Sequence, residues 1–237
     1  MEAKSTWPKA IFYDSKNTLF DWNSVWIKAS SKIVERYGSK IDGKQFWKTW
    51  AHFLIGENLR VAFGKYREFT DCLRDSLAYT FKYYGIPDDP GDVEFMLDLW
   101  DEVQPFPDVL PALTRQKEIT RILIYSNVET KYLEMMVNKL SGFRPDFIGD
   151  MQKSKSCKPS PRAYHWVLEN TQLEVNDVLY CAGVQWDVQG AMACGMKAAW
   201  LKRVHIKDNL EGVEPDYTVK DLYELTEIVE SSIRSGK

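Results

Sequence analysis

The sequence predicts an α/β protein: a doubly wound parallel sheet with a helical insertion after the first strand. Three observations carry this. Short apolar runs bounded by turn residues recur along the chain, as strands buried on both faces do. Segments of helical spacing alternate with them. One long stretch, residues 21 to about 104, has helical spacing and no strand-like run.

Ala10–Tyr13 is the first apolar run, and Arg121–Tyr125, Val178–Cys181 and Ala198–Leu201 follow; Phe147–Ile148 is a weaker candidate. Within the insertion, Phe69, Leu73, Leu77, Phe81 and Tyr84 share a helix face that Gly85 ends, and Asp92–Val103 reads as an amphipathic helix with Asp92 as its cap. Pro105-Phe106-Pro107 marks the return to the sheet. Lys131–Leu140 presents Leu133, Met136, Val137 and Leu140 on one face, with Gly142 as the stop. Ser160-Pro161, a cap followed by proline at the first helical position, starts a helix running to about Asn170. A further helix follows Asp187 and stops near Gly195. The expected division is a Rossmann-like core at residues 1–20 and 105–237, with a helical cap at 21–104. An insertion at the carboxyl end of a strand lies over the crevice where open α/β sheets bind ligands, the place for a lid.

The chain has 237 residues, 44% of them hydrophobic and 14% aromatic, with nine Trp, enough for a sizeable core without disulfides. Its net charge of −3, with no long basic run, does not suggest a nucleic-acid or membrane-surface partner. No run of ~18 apolar residues predicts a transmembrane helix. The opening MEAKSTWPKAIFYD lacks the apolar region of a secretory signal, so the cytoplasm is the expected compartment. Four cysteines without CxxC spacing and only three histidines predict neither a zinc site nor a disulfide framework.

Four strand-end loops carry chemistry. Asp14 closes the first strand, ahead of the polar loop Ser15-Lys16-Asn17-Thr18. A carboxylate there faces a ligand from a rigid base; the plainer reading is an Asp that caps the next turn. Ser126-Asn127 ends the second strand, Lys158-Pro159 precedes the helix at Ser160, and Gly183 and Asp187 follow the fourth strand.

With those motifs in that order, the chain resembles the haloacid dehalogenase superfamily. The pattern is DxxxT at Asp14–Thr18, Ser-Asn at Ser126-Asn127, KPxPxxY at Lys158–Tyr164, and the acid Asp187. The likeness is greatest to the L-2-haloacid dehalogenase branch, through TLFD at Thr18–Asp21, SLAYTF within Tyr66–Phe81, and WDVQGA at Trp186–Ala191. The resemblance implies a metal-independent hydrolase with no cofactor. Asp14 attacks C2 of a small 2-substituted carboxylic acid, and water positioned by Asp187 cleaves the resulting aspartyl ester. Lys158 holds Asp14 ionised, since opposite charge within ~4–6 Å favours the charged form. Thr18 and Ser126 orient the carboxylates or the substrate. Asn127 cradles the leaving group, and Tyr164 and Trp186 shape the pocket. A homodimer is also implied. Of the tryptophans Trp22, Trp26, Trp47 and Trp50, most read as helix core, with one or two touching substrate.

Departures from the branch bear on substrate. Tyr-Gly, usual at the second and third positions after the nucleophile, is Lys16-Asn17 here. The halide-binding Arg of the cap falls, by ungapped counting, on Trp50, and the usual Ser and Asn before the last acid are Ala182 and Val184. Either Lys16 replaces the missing Arg, or the leaving group is not a halide. Opening of the azetidine-2-carboxylate ring by the same attack is the alternative, with Trp50 offering a cation–π face. Two further readings are a magnesium phosphatase, disfavoured because Lys16 stands where the second Asp belongs, and an inactive binding module.

Overall fold

A computed structural model describes residues 7–89, 91–203 and 214–235. Its centre is a six-stranded sheet in the order β3-β2-β1-β4-β5-β6, parallel throughout. The strands are β1 (Ala10–Tyr13), β2 (Arg121–Ser126), β3 (Phe147–Asp150), β4 (Val178–Ala182), β5 (Lys197–Leu201) and β6 (Tyr217–Val219). All of β1 and β4 is buried, which is why they read as unbroken apolar runs. The last strand escaped the sequence reading because Tyr217–Val219 is short, at the sheet's edge, and only its last residue is buried.

The chain leaves β1 toward β2 on one side and returns as β4 on the other. The carboxyl end of β1 is thus the switch point, where diverging loops leave a crevice. Ile11, Ile122, Ile124 and Leu179 pack into one buried cluster; Phe12, Leu123, Tyr125 and Tyr180 face a second one on the opposite side of the sheet.

Between β1 and β2 lie α1 (Trp22–Arg36), α2 (Gly43–Phe63), α3 (Phe69–Tyr84), α4 (Gly91–Asp98) and a 3-10 turn at Leu99–Glu102, with no strand among the described residues of this segment. The two connections run side by side: Asp21 N donates to Gln104 O at 2.9 Å, and Phe106 N to Leu19 O at 3.0 Å. Helix α3 spans the anticipated stretch and ends on Gly85, whose φ of 66° suits glycine. Asp92 does not cap its helix. It lies inside α4, fully buried, bound by Arg36 and by the Tyr37 hydroxyl at 2.7 Å. The Asp89 side chain instead accepts from Gly91 N at 2.8 Å. The helix expected over 92–103 changes to 3-10 geometry at Leu99.

After the insertion come α5 (Val109–Lys117), α6 (Thr130–Val137), α7 (Met151–Ser154), α8 (Pro161–Thr171), α9 (Gln185–Ala193) and α10 (Leu222–Ser235). Helix α6 stops at Val137, short of Leu140, and turns carry the chain to Gly142. Helix α9 starts two residues before Asp187, so this acid sits in its first turn rather than ahead of it. Cys72, Cys157 and Cys181 are buried free thiols, and Cys194 is a half-buried one. Among the described residues no helix is long and apolar enough to cross a membrane.

Candidate active site

Asp14 follows β1 directly, its backbone N–H donating to Cys181 O of neighbouring β4 at 3.0 Å, so the sheet itself fixes its position. The loop beyond it folds back tightly: Leu19 N and Phe20 N both donate to Ser15 O. Asn17 sits at φ 58°, a left-handed conformation that Asn tolerates better than most residues. This explains why a position usually held by glycine accepts Asn17. Gly183 is required by proximity: a Cβ there would overlap the Asn17 carbonyl oxygen. Its N–H donates to Thr18 Oγ1 at 2.8 Å, and Arg203 Nε holds Thr18 O at 2.6 Å.

Lys158 is the centre of the arrangement. Its Nζ lies 2.7 Å from Asp14 Oδ1 and 2.7 Å from Asp187 Oδ2, so one buried ammonium joins both carboxylates. It also donates to Tyr180 Oη at 2.9 Å. Asn127 clamps the lysine's backbone from both sides, donating Nδ2–H to Lys158 O and accepting from Lys158 N, each at 2.8 Å. Burial by itself would push the Lys158 pKa down; the attraction of Asp14 and Asp187 outweighs it, and the net direction is up. The lysine therefore stays charged.

Asp14 Oδ2 accepts from Thr18 Oγ1 at 2.8 Å. Asp187 Oδ1 accepts from Tyr164 Oη at 2.6 Å. Burial raises the Asp187 pKa, as does the neighbouring charge of Asp14, against the lowering by Lys158 and Tyr164. A raised carboxylate pKa makes a better proton acceptor. Tyr164 and Tyr180 are pushed up first by burial and then by Asp187, so both phenols stay protonated as donors. Tyr164 reaches its place because Gly190 leaves room; a Cβ there would collide with the phenolic oxygen.

Lys16 lies on the open side. It is half-buried, its Nζ 4.5 Å from the Trp22 ring centre and 4.1 Å from that of Phe69, donating to Asn127 O at 3.2 Å. Burial lowers its pKa from 10.5 to about 7; attraction to Asp14 and Glu129 opposes this, and repulsion by Lys158 adds to it. The lysine beside the nucleophile thus titrates near neutrality.

The structure brings together Asp14, Thr18, Lys158, Asp187 and Tyr164, with Lys16, Asn127 and Trp22 beside them. Asn127 and Trp50 sit differently from the sequence expectation, and Ser126 has a partner other than the carboxylates. Ser126 makes no bond to Asp14; its Oγ accepts from Ser15 Oγ at 2.6 Å. Asn127, expected at the leaving group, directs its side chain to the Lys158 backbone. Trp50 is fully buried between Trp26 and Trp47, its indole N–H given to Ser76 Oγ at 2.8 Å, and no bond or ring contact ties it to Asp14, Lys16, Lys158 or Asp187. Counting residues across a helical insertion cannot place a side chain, because one residue shifts it about 100° around the helix. Trp186 is half-buried in the first turn of α9, with no ring contact among the described residues.

Sequence reasoning missed Tyr180, Ser15 and Phe69. For Tyr180 a signal existed: a phenol within the apolar run of β4 needs a buried partner. Tyr180, Tyr164 and the Asn127 clamp hold Lys158 and Asp187 where Ala182 and Val184 offer no polar side chain. Among the described residues no group of three or more His, Cys, Asp or Glu is arranged to hold a metal ion.

Known proteins bear on this geometry. A haloacetate dehalogenase H-2 from Moraxella sp. (strain B) is 29% identical over 219 residues, covering 89% of this chain and 93% of its own. A (S)-2-haloacid dehalogenase from Xanthobacter autotrophicus is 25% identical over 200 residues, covering 83% of this chain and 76% of its own. The structure of the L-2-haloacid dehalogenase from Xanthobacter autotrophicus, with chloropropionic acid covalently bound, superposes with a TM-score of 0.80 at 22% identity, covering 94% of this chain and 98% of that one, which establishes the shared fold. The Haloacid dehalogenase-like hydrolase family matches residues 11–201, and this chain, with its parallel sheet and its lysine-bridged pair of aspartates, belongs to that family of hydrolases.

Proposed function

We propose that the protein hydrolyses the carbon–halogen bond of a small 2-haloacid through an ester on Asp14. The single observation that carries this reading is the buried Lys158 ammonium shared at 2.7 Å by Asp14 and Asp187, with a second cation, Lys16, on the open side. An Asp14 oxygen attacks C2 from behind, a carbon–oxygen bond forms, and halide leaves with the electron pair of the carbon–halogen bond. Water then adds to the Asp14 carbonyl, Asp187 takes its proton, and the 2-hydroxy acid departs as the Asp14 carboxylate reforms. The names of the curated relatives, a haloacetate and a 2-haloacid dehalogenase, support a halide over other leaving groups.

Charge balance supports Lys16 as the anchor for the substrate carboxylate or the departing anion. Asp14 and Asp187 against Lys158 leave one negative charge, which protonated Lys16 neutralises before an anionic substrate arrives; buried Glu129 lies further off. Azetidine-2-carboxylate is less favoured: its cationic amine would meet Lys16, and the indole of Trp50 is engaged with Ser76. A phosphatase is less favoured because Lys16 donates where a general acid with an ordinary carboxyl would stand. We place α1–α4 as a cap over the switch point, and the homodimer and a cytoplasmic setting belong to the same proposal.

The deciding experiment is intact-mass analysis of the Asp187→Asn variant after incubation with L-2-chloropropionate or chloroacetate. The expected result is a stable adduct of the acid on a peptide containing Asp14, with one equivalent of halide released. Halide released by wild type with no adduct in the variant would sink the ester mechanism. Phosphate release from aryl phosphates that stops on chelation, with no halide release, would replace the reading by the phosphatase.

A further inference from the structure

Against Lys16 the insertion sets a group of aromatic rings whose polar atoms are unmatched. The rings of Trp22, Trp26 and Trp100 form a triangle, with centres 4.9, 5.8 and 6.0 Å apart. All three are buried, and among the described residues none of their indole N–H groups meets an acceptor. The Ser30 hydroxyl, on the same buried face of α1 as Trp22 and Trp26, is unmatched too. The other tryptophans of the cluster differ: Trp47 donates to Asn23 Oδ1 at 3.1 Å and Trp50 to Ser76 Oγ at 2.8 Å. An N–H set edge-on to a neighbouring ring gains only a second-order attraction. A buried donor without an acceptor bears its full desolvation cost, so several in one cluster mark a place that takes an acceptor from outside the chain.

Position and chemistry narrow the occupant. Trp22 and Trp100 both lie against Phe69, with ring centres at 6.3 and 5.8 Å. The Lys16 amine stands 4.1 Å from the centre of the Phe69 ring and 4.5 Å from that of Trp22. Trp22 is also the first residue of α1, at the positive pole of its dipole. Indole N–H donates and cannot accept, so its partner needs lone pairs and no proton of its own. An anion has this character, and both the lysine and the helix pole favour negative charge. The aromatic walls then choose between anions. A carboxylate entering among rings loses strong hydration and needs charge-assisted donors at both oxygens. Chloride and bromide are single-centred, polarisable and more weakly hydrated. Trp26 packs on Trp50 within the insertion, makes no ring contact with Phe69 among the described residues, and stays outside the site.

We propose, resting on the halide-releasing reaction above, that Trp22 and Trp100 receive the leaving halide together with the Lys16 amine. As the Asp14 oxygen bonds to C2, the carbon–halogen bond breaks and its electron pair stays on the halide. The two indole N–H groups donate hydrogen bonds to that growing charge, and no proton moves. Donors already held by packing need no reorganisation at this moment.

Chloride binding by the full chain tests this without turnover. Protein is titrated into chloride at constant ionic strength, the chloride NMR linewidth is read, and bromide and acetate serve as competitors. Wild type is expected to broaden the signal, with bromide reversing the effect and acetate leaving it. Trp22→Phe, which keeps a ring and removes the N–H, and Lys16→Met should each weaken chloride at least ~10-fold. Trp47→Phe, whose N–H already has Asn23, should bind chloride as wild type does. In turnover, Trp22→Phe should lower kcat at least ~10-fold, more than it changes KM, and more for chloroacetate than for bromoacetate, whose leaving group needs less help. If Trp22→Phe fails to fold, Trp100→Phe and Lys16→Met decide by the same measurements. A wild type that releases halide from haloacids yet does not broaden the chloride signal overturns this proposal and leaves the Asp14 ester standing. So does chloride affinity unchanged in Trp22→Phe, or acetate displacing chloride as well as bromide does. A wild type that releases no halide from any haloacid overturns the reaction above, and the role of this site with it.

Discussion

Replacing Lys16 by Met keeps the side chain's length and removes its charge. The folded protein holds this amine near pH 7, whereas the unfolded chain holds it near 10.5, chiefly because burial disfavours the ammonium. Each unit is worth about 1.4 kcal/mol, so the whole difference approaches about 5 kcal/mol; water reaching a half-buried group reduces this to about 2–3 kcal/mol. Below pH 7 both states carry the proton and the folded state bears the full penalty. From 7 to 10.5 the folded state has released a proton that the unfolded chain still binds, so stability rises with pH through that window. Lys16→Met should therefore unfold at higher urea than wild type at about pH 6, with the advantage shrinking by about pH 9. Activity should run the opposite way. If only the protonated amine receives the substrate anion, kcat/KM falls about tenfold per unit above pH 7. The Met variant loses this dependence along with most of its activity. Paired urea melts and pH–rate profiles read both effects. A kcat/KM that stays flat from neutrality to about pH 9 in a folded enzyme, or a Met variant less stable than wild type at about pH 6, would refute the reasoning.

Three further outcomes follow from the geometry. Asp14→Asn should abolish halide release while leaving the fold intact, measured by ion-selective electrode and far-UV circular dichroism; residual turnover near wild type would contradict the nucleophile assignment. Gly183→Ala should lower stability by about 2–3 kcal/mol and disorder the Asp14 loop, because its Cβ would overlap the Asn17 carbonyl, and a urea midpoint unchanged from wild type would show that the loop has room to yield. Tyr180→Phe removes one Lys158 partner at 2.9 Å and should cost about 1–2 kcal/mol of stability and reduce kcat more than KM, whereas a pure KM effect would place Tyr180 at the substrate instead.

The sequence by itself determined the α/β plan and four of the six strands, and it singled out Asp14, Lys158 and Asp187 as candidate site residues. Buried parallel strands must be apolar on both faces, so β1, β2, β4 and β5 declared themselves as runs, and Asp14 directly after β1, Lys158 ahead of α8 and Asp187 beyond β4 stood out as charges in the connections that follow them. Other features depended on distance through space, which residue spacing does not encode. Asn127 faces the Lys158 backbone across 31 positions of chain, Ser15 donates its hydroxyl to that of Ser126, and Phe69 of the insertion lies against Lys16. Trp50 was misplaced for the same reason: helix rotation and packing, not the count from a motif, decide where a side chain points. The charge of Lys16 is also a tertiary property. Its type is written at position 16, but only the rings of Trp22 and Phe69 and the balance of neighbouring charges bring its proton within reach of neutral pH.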